Sequence, residues 1–79
     1  MPLYFFDTHN GEHLQRDTDG IDLPDRASAR AESHITLGHM AKDEMPDGDM
    51  RNLYVNVFDE DRSPIYTISM STVGRWLDR

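Results

Sequence analysis

The chain has 79 residues and no cysteine, which excludes disulfides, thiolate metal sites and cysteine nucleophiles, and a length of this order supports one small core in a single domain. Fifteen acids against eight basic residues give a formal charge of −7, a field that repels phosphate backbones and anionic lipid and favours cations and basic proteins, so neither nucleic acid nor membrane is an expected partner. Hydrophobic residues at 37%, with aromatics spread from Tyr4 to Trp76, mark a globular chain; no basic leader or long apolar run is present, and a cytoplasmic location is the expectation.

Residues 3–7, LYFFD, and 12–16, EHLQR, flank Asn10-Gly11, the pair that a two-residue type I′ turn favours because both positions need positive φ. This predicts a β-hairpin with His9 opposite Glu12, Asp7 opposite Leu14 and Phe5 opposite Arg16. Leu3, Phe5 and Leu14 then share the inward side, while Tyr4 and Phe6 point the other way. Asp17 to Gly20 reads as a turn and Ile21 to Leu23 as a short extended piece. Leu23-Pro24 holds the chain out of helix until Asp25, which reads as an N-cap.

From Arg26 to Met45 no proline interrupts the chain, which predicts one helix of about twenty residues ending at Pro46. Ala27, Ala31, His34, Gly38, Ala41 and Met45 fall on one seam, flanked by Ile35 and Leu37. The seam is small, so the helix is expected to approach the sheet closely, compensating roughly 1 kcal/mol of helix propensity lost at Gly38. After the Asp-Gly turn, NLYVNVFD alternates as a half-buried strand. A hairpin closed by EDRS, with Asp59 opposite Pro64, sets Val57 against Tyr66, Val55 against Ile68 and Leu53 against Met70, so that apolar meets apolar throughout.

The order is β-β-α-β-β: an α+β domain over residues 1–71, with a four-stranded, mainly antiparallel sheet and one long helix packed on one face, followed by a tail over 72–79. The inward side takes Leu3, Phe5, Leu14, Ile21, Leu23, Leu53, Val55, Val57, Tyr66, Ile68 and Met70. The other face carries Tyr4, Phe6, His13, Tyr54, Asn56, Phe58, Ile65 and Thr67. Such a face is too aromatic for a solvated sheet and marks a contact surface, covered either by a partner or by Trp76 and Leu77 folding back.

DTDGIDLPD, residues 17–25, concentrates four carboxylates, and Asp17, Asp19 and Asp22 are the weak candidates for a divalent-cation site. Neither glycine-centred acidic stretch matches a calcium-binding helix-loop-helix: with Gly20 aligned, Arg26 takes the place of the bidentate acid, and with Gly48 aligned, Tyr54 does. Turn and cap roles account for each acid separately. His34 and His39 lie about 140° apart on the helix, and His9 and His13 fall on opposite faces of the hairpin, so no pair has ligand geometry. His34 on the packing seam reads as a hydrogen-bonded core histidine. Ser69, Ser71 and Thr72 lack a nucleophile elbow, and the glycines form no phosphate-cradling loop, so no catalytic residue and no cofactor is expected.

Together, YFFDTHNG, DGIDLPD, the PDGD after the helix and VNVFDEDRSPIYTISMS resemble a family of short, uncharacterised proteins of soil and plant-associated proteobacteria, over nearly the whole chain. Tyr4, Phe5, Asp7, Gly11, Asp17, Gly20, Leu23, Asp25, Val55, Val57, Asp59 and Glu60 take the places of the family pattern, and the chain departs from it at Arg62-Ser63, where a turn glycine is expected. The resemblance implies the fold and assigns no activity. The LPD at 23–25, before a helix containing alanine and glutamate, is similar to the antitoxin halves of some toxin–antitoxin pairs, which implies a basic toxin as partner. The function expected is therefore a non-enzymatic interaction module using Tyr4, Phe6, Tyr54, Phe58, Ile65 and Trp76, in a homodimer or against a basic protein. The alternatives are an antitoxin-like protein and a divalent-cation-dependent enzyme or sensor.

Overall fold

The computed structural model describes residues 1–44 and 48–78. Met45, Pro46 and Asp47, where the seam and the helix-ending turn are expected to finish, lie outside the described residues, as does Arg79. The elements are β1 (Leu3–His9), β2 (Leu14–Gln15), β3 (Ile21–Asp22), α1 (Arg26–Glu44), β4 (Met50–Phe58) and β5 (Pro64–Val73). The sheet order is β2-β1-β4-β5, all neighbours antiparallel, and β3 pairs with the N-terminal half of β1 on the edge that β2 takes further along. The α+β class and the helix-on-sheet packing agree with the sequence reading, with one short strand more than it counts. The last strand also runs two residues into the expected tail.

β4 and β5 pair as the alternation predicts: Val57 with Tyr66, Val55 with Ile68, Leu53 with Met70. A register shift at Val57/Phe58 sets Phe58 opposite Pro64 and leaves Ile65 as the extra residue of a bulge. The turn is a compact loop: Asp59 N–H donates to the Ser63 carbonyl at 2.9 Å, and Arg62 N–H to the Asp59 carbonyl at 2.9 Å. Arg62 takes φ +61°, so the glycine expected there corresponds to a left-handed position that an arginine fills.

The first hairpin differs in two ways. Thr8 pairs with Gln15 and His9 with Leu14, two residues beyond the expected register, because Asn10 Oδ1 accepts from the backbone N–H groups of Glu12 (3.0 Å) and His13 (2.8 Å) and so organises a wider loop. The faces of β1 are also reversed. Phe6 pairs with Val57 and Thr8 with Val55, and the valines face the helix, so Tyr4 (5% exposed) and Phe6 (7%) are core while Leu3 and Phe5 point away from it. LYFF is apolar at every position, and alternation carries no face information there.

α1 starts as expected, with Asp25 Oδ1 accepting from Ser28 N–H at 2.8 Å. Its buried stripe is Ala29, Ser33, Leu37 and Ala41; of the expected seam and its flanks, Ala41 and Leu37 are therefore in the core, while Ala27, Ala31, His34 and Gly38 are exposed, about 100° around the helix from the stripe. Ser33 serves as a core residue because its hydroxyl donates to the Arg30 carbonyl at 2.7 Å, leaving a small, satisfied side chain. Small residues do line the contact as expected, but from a neighbouring stripe. The core is Tyr4, Phe6, this stripe, Leu53, Val55 and Val57, with Leu23, Met40, Tyr66, Ile68 and Met70 at its margin. No helix among the described residues is long and apolar enough to cross a membrane.

Candidate functional site

With one helix on one face of the sheet, the opposite face is left without a covering element among the described residues. Its β1 row is Leu3, Phe5, Asp7 and His9, its β4 row Asn52, Tyr54, Asn56 and Phe58, and its β5 row Thr67, Ser69 and Ser71. The His9 and Tyr54 rings, directly opposite across the strands, stack with centroids 4.9 Å apart and planes 2° from parallel. His9 Nδ1 accepts from Gly11 N–H at 3.0 Å, which places the proton of the neutral ring on Nε2. Asn56 and Asn52 accept from Thr67 Oγ1 (2.7 Å) and Ser71 Oγ (2.8 Å), so the polar rows are tied laterally. The surface is partly aromatic and largely uncharged.

At the other end, the Arg62 guanidinium lies over the rings of both Phe5 and Phe58, 4.8 and 4.7 Å from their centroids, and meets Asp7 at 3.3 Å. Asp7 is only 7% exposed, and its Oδ1 also accepts from Asp17 N–H at 2.9 Å. Asp17 in turn fills the gap on the β1 edge between β2 and β3. One oxygen takes Phe6 N–H at 3.0 Å, and the other takes Asp19 N–H at 3.1 Å and Gly20 N–H at 3.0 Å. Burial is the largest single influence and pushes the Asp17 carboxyl up. The Gly20, Phe6 and Asp19 donors and the Arg62 charge outweigh it together and hold the group below its ordinary range.

The carboxylates of the acidic stretch are thus separated by role. Asp17 completes the sheet edge, Asp22 pairs with Leu3 in β3, and Asp25 caps the helix, its carboxyl held low by the Ser28 N–H. Among the described residues no three histidine or acidic groups are placed to hold a metal ion. Of the expected contact residues, Tyr54 and Phe58 do stand on the open face. Tyr4 and Phe6 do not, and Ile65 sits in the bulge against the margin of the core. Trp76 is 71% exposed, so its ring is not buried against the sheet. His34 is exposed rather than in the core; its Nε2 shares a hydrogen bond with Tyr66 OH at 2.9 Å.

A family model for a domain of unknown function, DUF6894, matches residues 3–71. The chain belongs to this family. No curated protein and no solved structure matches it.

In this DUF6894 domain the residues that carry the sequence resemblance are mainly those that hold the fold. Gly11 and Gly20 have φ of +98° and +74°, and a Cβ on Gly20 would stand 2.9 Å from Leu3 Cγ. Asp59 Oδ1 accepts from Asp61 and Ser63 N–H, and Glu60 Oε1 from Leu3 N–H, which joins the second turn to the start of β1. A groove of about 630 Å³ lies between α1 and residues 15–19, lined by Arg16, Asp19, Glu32, His39, Asp43 and other residues, and a hollow of about 740 Å³ lies over β4 and β5 at Asn56, Phe58, Ile65 and Thr67. The groove is a solvated, acid-rich cleft. The aromatic, imidazole and guanidinium groups of the open face that sequence reasoning missed are those of Phe5, His9 and Arg62. The parity of Asp7 with Phe5 was the available signal, since a charged residue normally turns its strand face away from a helix.

Proposed function

We propose that this domain is a small, non-enzymatic protein-interaction module that works through the open face of its sheet. The observation that carries the reading is the state of that face: Phe5, His9, Tyr54 and Phe58 lie on it, and no described strand or helix of the chain covers them. Ring pairs already ordered by stacking and by Arg62 lose little side-chain freedom when a partner covers them, which favours binding. The chain's charge of −7 would steer a basic partner towards it, with Glu12, Glu60 and Asp61 exposed at the ends of the sheet. A cytoplasmic setting, as the sequence leads one to expect, in a proteobacterium, as the family resemblance implies, would offer such partners, a basic toxin among them.

The test is site-specific photo-crosslinking in cells, with the crosslinker placed at Asn56 or Ser69 on the open face and at Ile35 or Thr36 beside the groove. Discrete adducts from the face positions, reduced by Tyr54→Ala, support the reading. Adducts confined to the groove positions, or none from the face, would remove it.

A further inference from the structure

We infer that β5 is a self-pairing edge, and that two copies of the chain join through it into one continuous antiparallel sheet. β5 ends the sheet, and among the described residues no strand pairs with its outer side. An exposed strand edge offers a row of free N–H and C=O groups, and protein sequences normally blunt it with charges, prolines or bulges. Here the protection is confined to the start of the strand, where Pro64 and the Ile65 bulge sit. From Tyr66 to Val73 the strand runs in unbroken register against β4 and carries no charged residue. Ser63 to Gly74 is the longest stretch free of Asp, Glu, Lys and Arg in a chain otherwise rich in them.

The occupant is a second copy because the strand is its own complement. A two-fold axis normal to the sheet through Ser69 sets Ser69 opposite its own copy, Ile68 opposite Met70, Thr67 opposite Ser71 and Tyr66 opposite Thr72. Residues opposite one another in an antiparallel pair share a face, so Ile68 and Met70 meet on the helix side and the hydroxyls meet on the open side. Two molecules of charge −7 repel one another overall, and the uncharged run of β5 adds no like-charge pair to that repulsion where the copies meet.

The helix gives a second, independent observation. Ala27, Ala31, His34 and Gly38 are exposed on the flank of α1 that leans towards β5, where His34 meets Tyr66, and a Cβ on Gly38 would meet nothing within 4 Å. Among the described residues Gly38 has no neighbour to justify a helix-weakening glycine. In the two-fold sheet the helices lie on the same side, antiparallel, with these small flanks turned towards each other. The assembly would double the width of the open face, yet it does not depend on the function proposed for that face.

Sedimentation velocity on the full chain from about 1 µM to about 1 mM, the span of ordinary dimer affinities, reads the association. Amide exchange at both ends of that range reads its location. The expected result is a dimer at the upper end, with added protection on alternate β5 amides, those directed away from β4. Ser69→Lys, which breaks no hydrogen bond of the open face, should weaken the dimer at least about tenfold by setting like charges opposite one another. Should that variant fail to fold by circular dichroism, the wild-type exchange pattern decides by itself. A monomer throughout overturns the inference. So does a dimer whose β5 amides exchange as in the monomer, since that dimer would be made by another surface; because Ser69 also lies on the open face beside Tyr54, loss of the dimer in Ser69→Lys supports the inference only together with that β5 protection.

Discussion

Arg62 sits where two opposed effects can be separated by substitution. Its φ of +61° is a left-handed conformation that costs a non-glycine residue roughly 1 kcal/mol, and glycine would relieve it. Against that stand the contacts that only the arginine makes. Two ring contacts at 4.7 and 4.8 Å contribute about 0.5–1 kcal/mol each for a guanidinium that is partly exposed. The pair with Asp7 at 3.3 Å involves a carboxylate that is nearly buried, so it contributes more than a surface pair; with the Asp17 N–H still bonded to that carboxylate after Arg62 is removed, its loss should cost about 1–2 kcal/mol.

The contacts therefore outweigh the backbone strain. Arg62→Gly is expected to destabilise by about 1–3 kcal/mol and Arg62→Ala by about 1 kcal/mol more, because alanine loses the contacts and keeps the strain. Urea unfolding at neutral pH, with the linear extrapolation compared at matched slopes, gives the order directly. In a domain of this size each kcal/mol is also worth roughly 4–8 °C in Tm. A glycine variant as stable as the wild type, or more so, would refute the claim that the Phe5–Arg62–Phe58 arrangement holds the turn against β1. Arg62→Lys keeps the charge but not the planar group, and should fall between wild type and glycine.

Gly20→Ala should destabilise by more than about 1 kcal/mol, since the added methyl group meets Leu3 at 2.9 Å in a backbone conformation that alanine resists; the thermal midpoint checks it. Asp17→Ala should cost about 1–2 kcal/mol by leaving the Phe6 N–H without its acceptor, and amide exchange at Phe6 should accelerate. Asp17 and Asp25 both have carboxyls lowered by folding, so the stability they contribute is present above the unfolded carboxylate range and is lost as the pH falls through their folded values. Unfolding midpoints measured from neutral pH down to about pH 3 should therefore drop at the acid end, and the drop should be shallower in Asp17→Asn and in Asp25→Asn. Tyr66→Phe removes one exposed hydrogen bond to His34 and should change stability by less than about 1 kcal/mol.

The parts of the fold that were legible in the sequence are those in which neighbours along the chain decide the outcome. Alternation from Leu53 to Val57 and from Tyr66 to Met70 admits one register, because a slip of one residue would set apolar against polar. Asp25 caps the helix within its own first turn, and the glycine expected near Arg62 marks a backbone angle rather than a side chain. Where composition was uniform the reading failed. LYFF is apolar at all positions, and alanines at 27, 29, 31 and 41 mark two stripes of the helix equally well. Only the pairing of Phe6 with Val57 and the self-satisfied hydroxyl of Ser33 choose between them, and both depend on contacts made after folding.

The acids attract functional readings, yet Asp7, Asp17, Asp25 and Asp59 spend their oxygens on backbone N–H groups or on Arg62, and are thereby committed to the scaffold. A carboxylate whose oxygens are taken by N–H donors is a poor metal ligand, because binding elsewhere must first break those bonds. What the fold leaves uncommitted is the least charged part of it: the His9–Tyr54 stack, the Asn, Ser and Thr rows beside it, and the free edge of β5. In an acidic chain these are the surfaces that a second protein could approach without desolvating a carboxylate, which is why both proposed surfaces draw mainly on the stretch from Asn52 to Val73 rather than on the acidic residues 17–25.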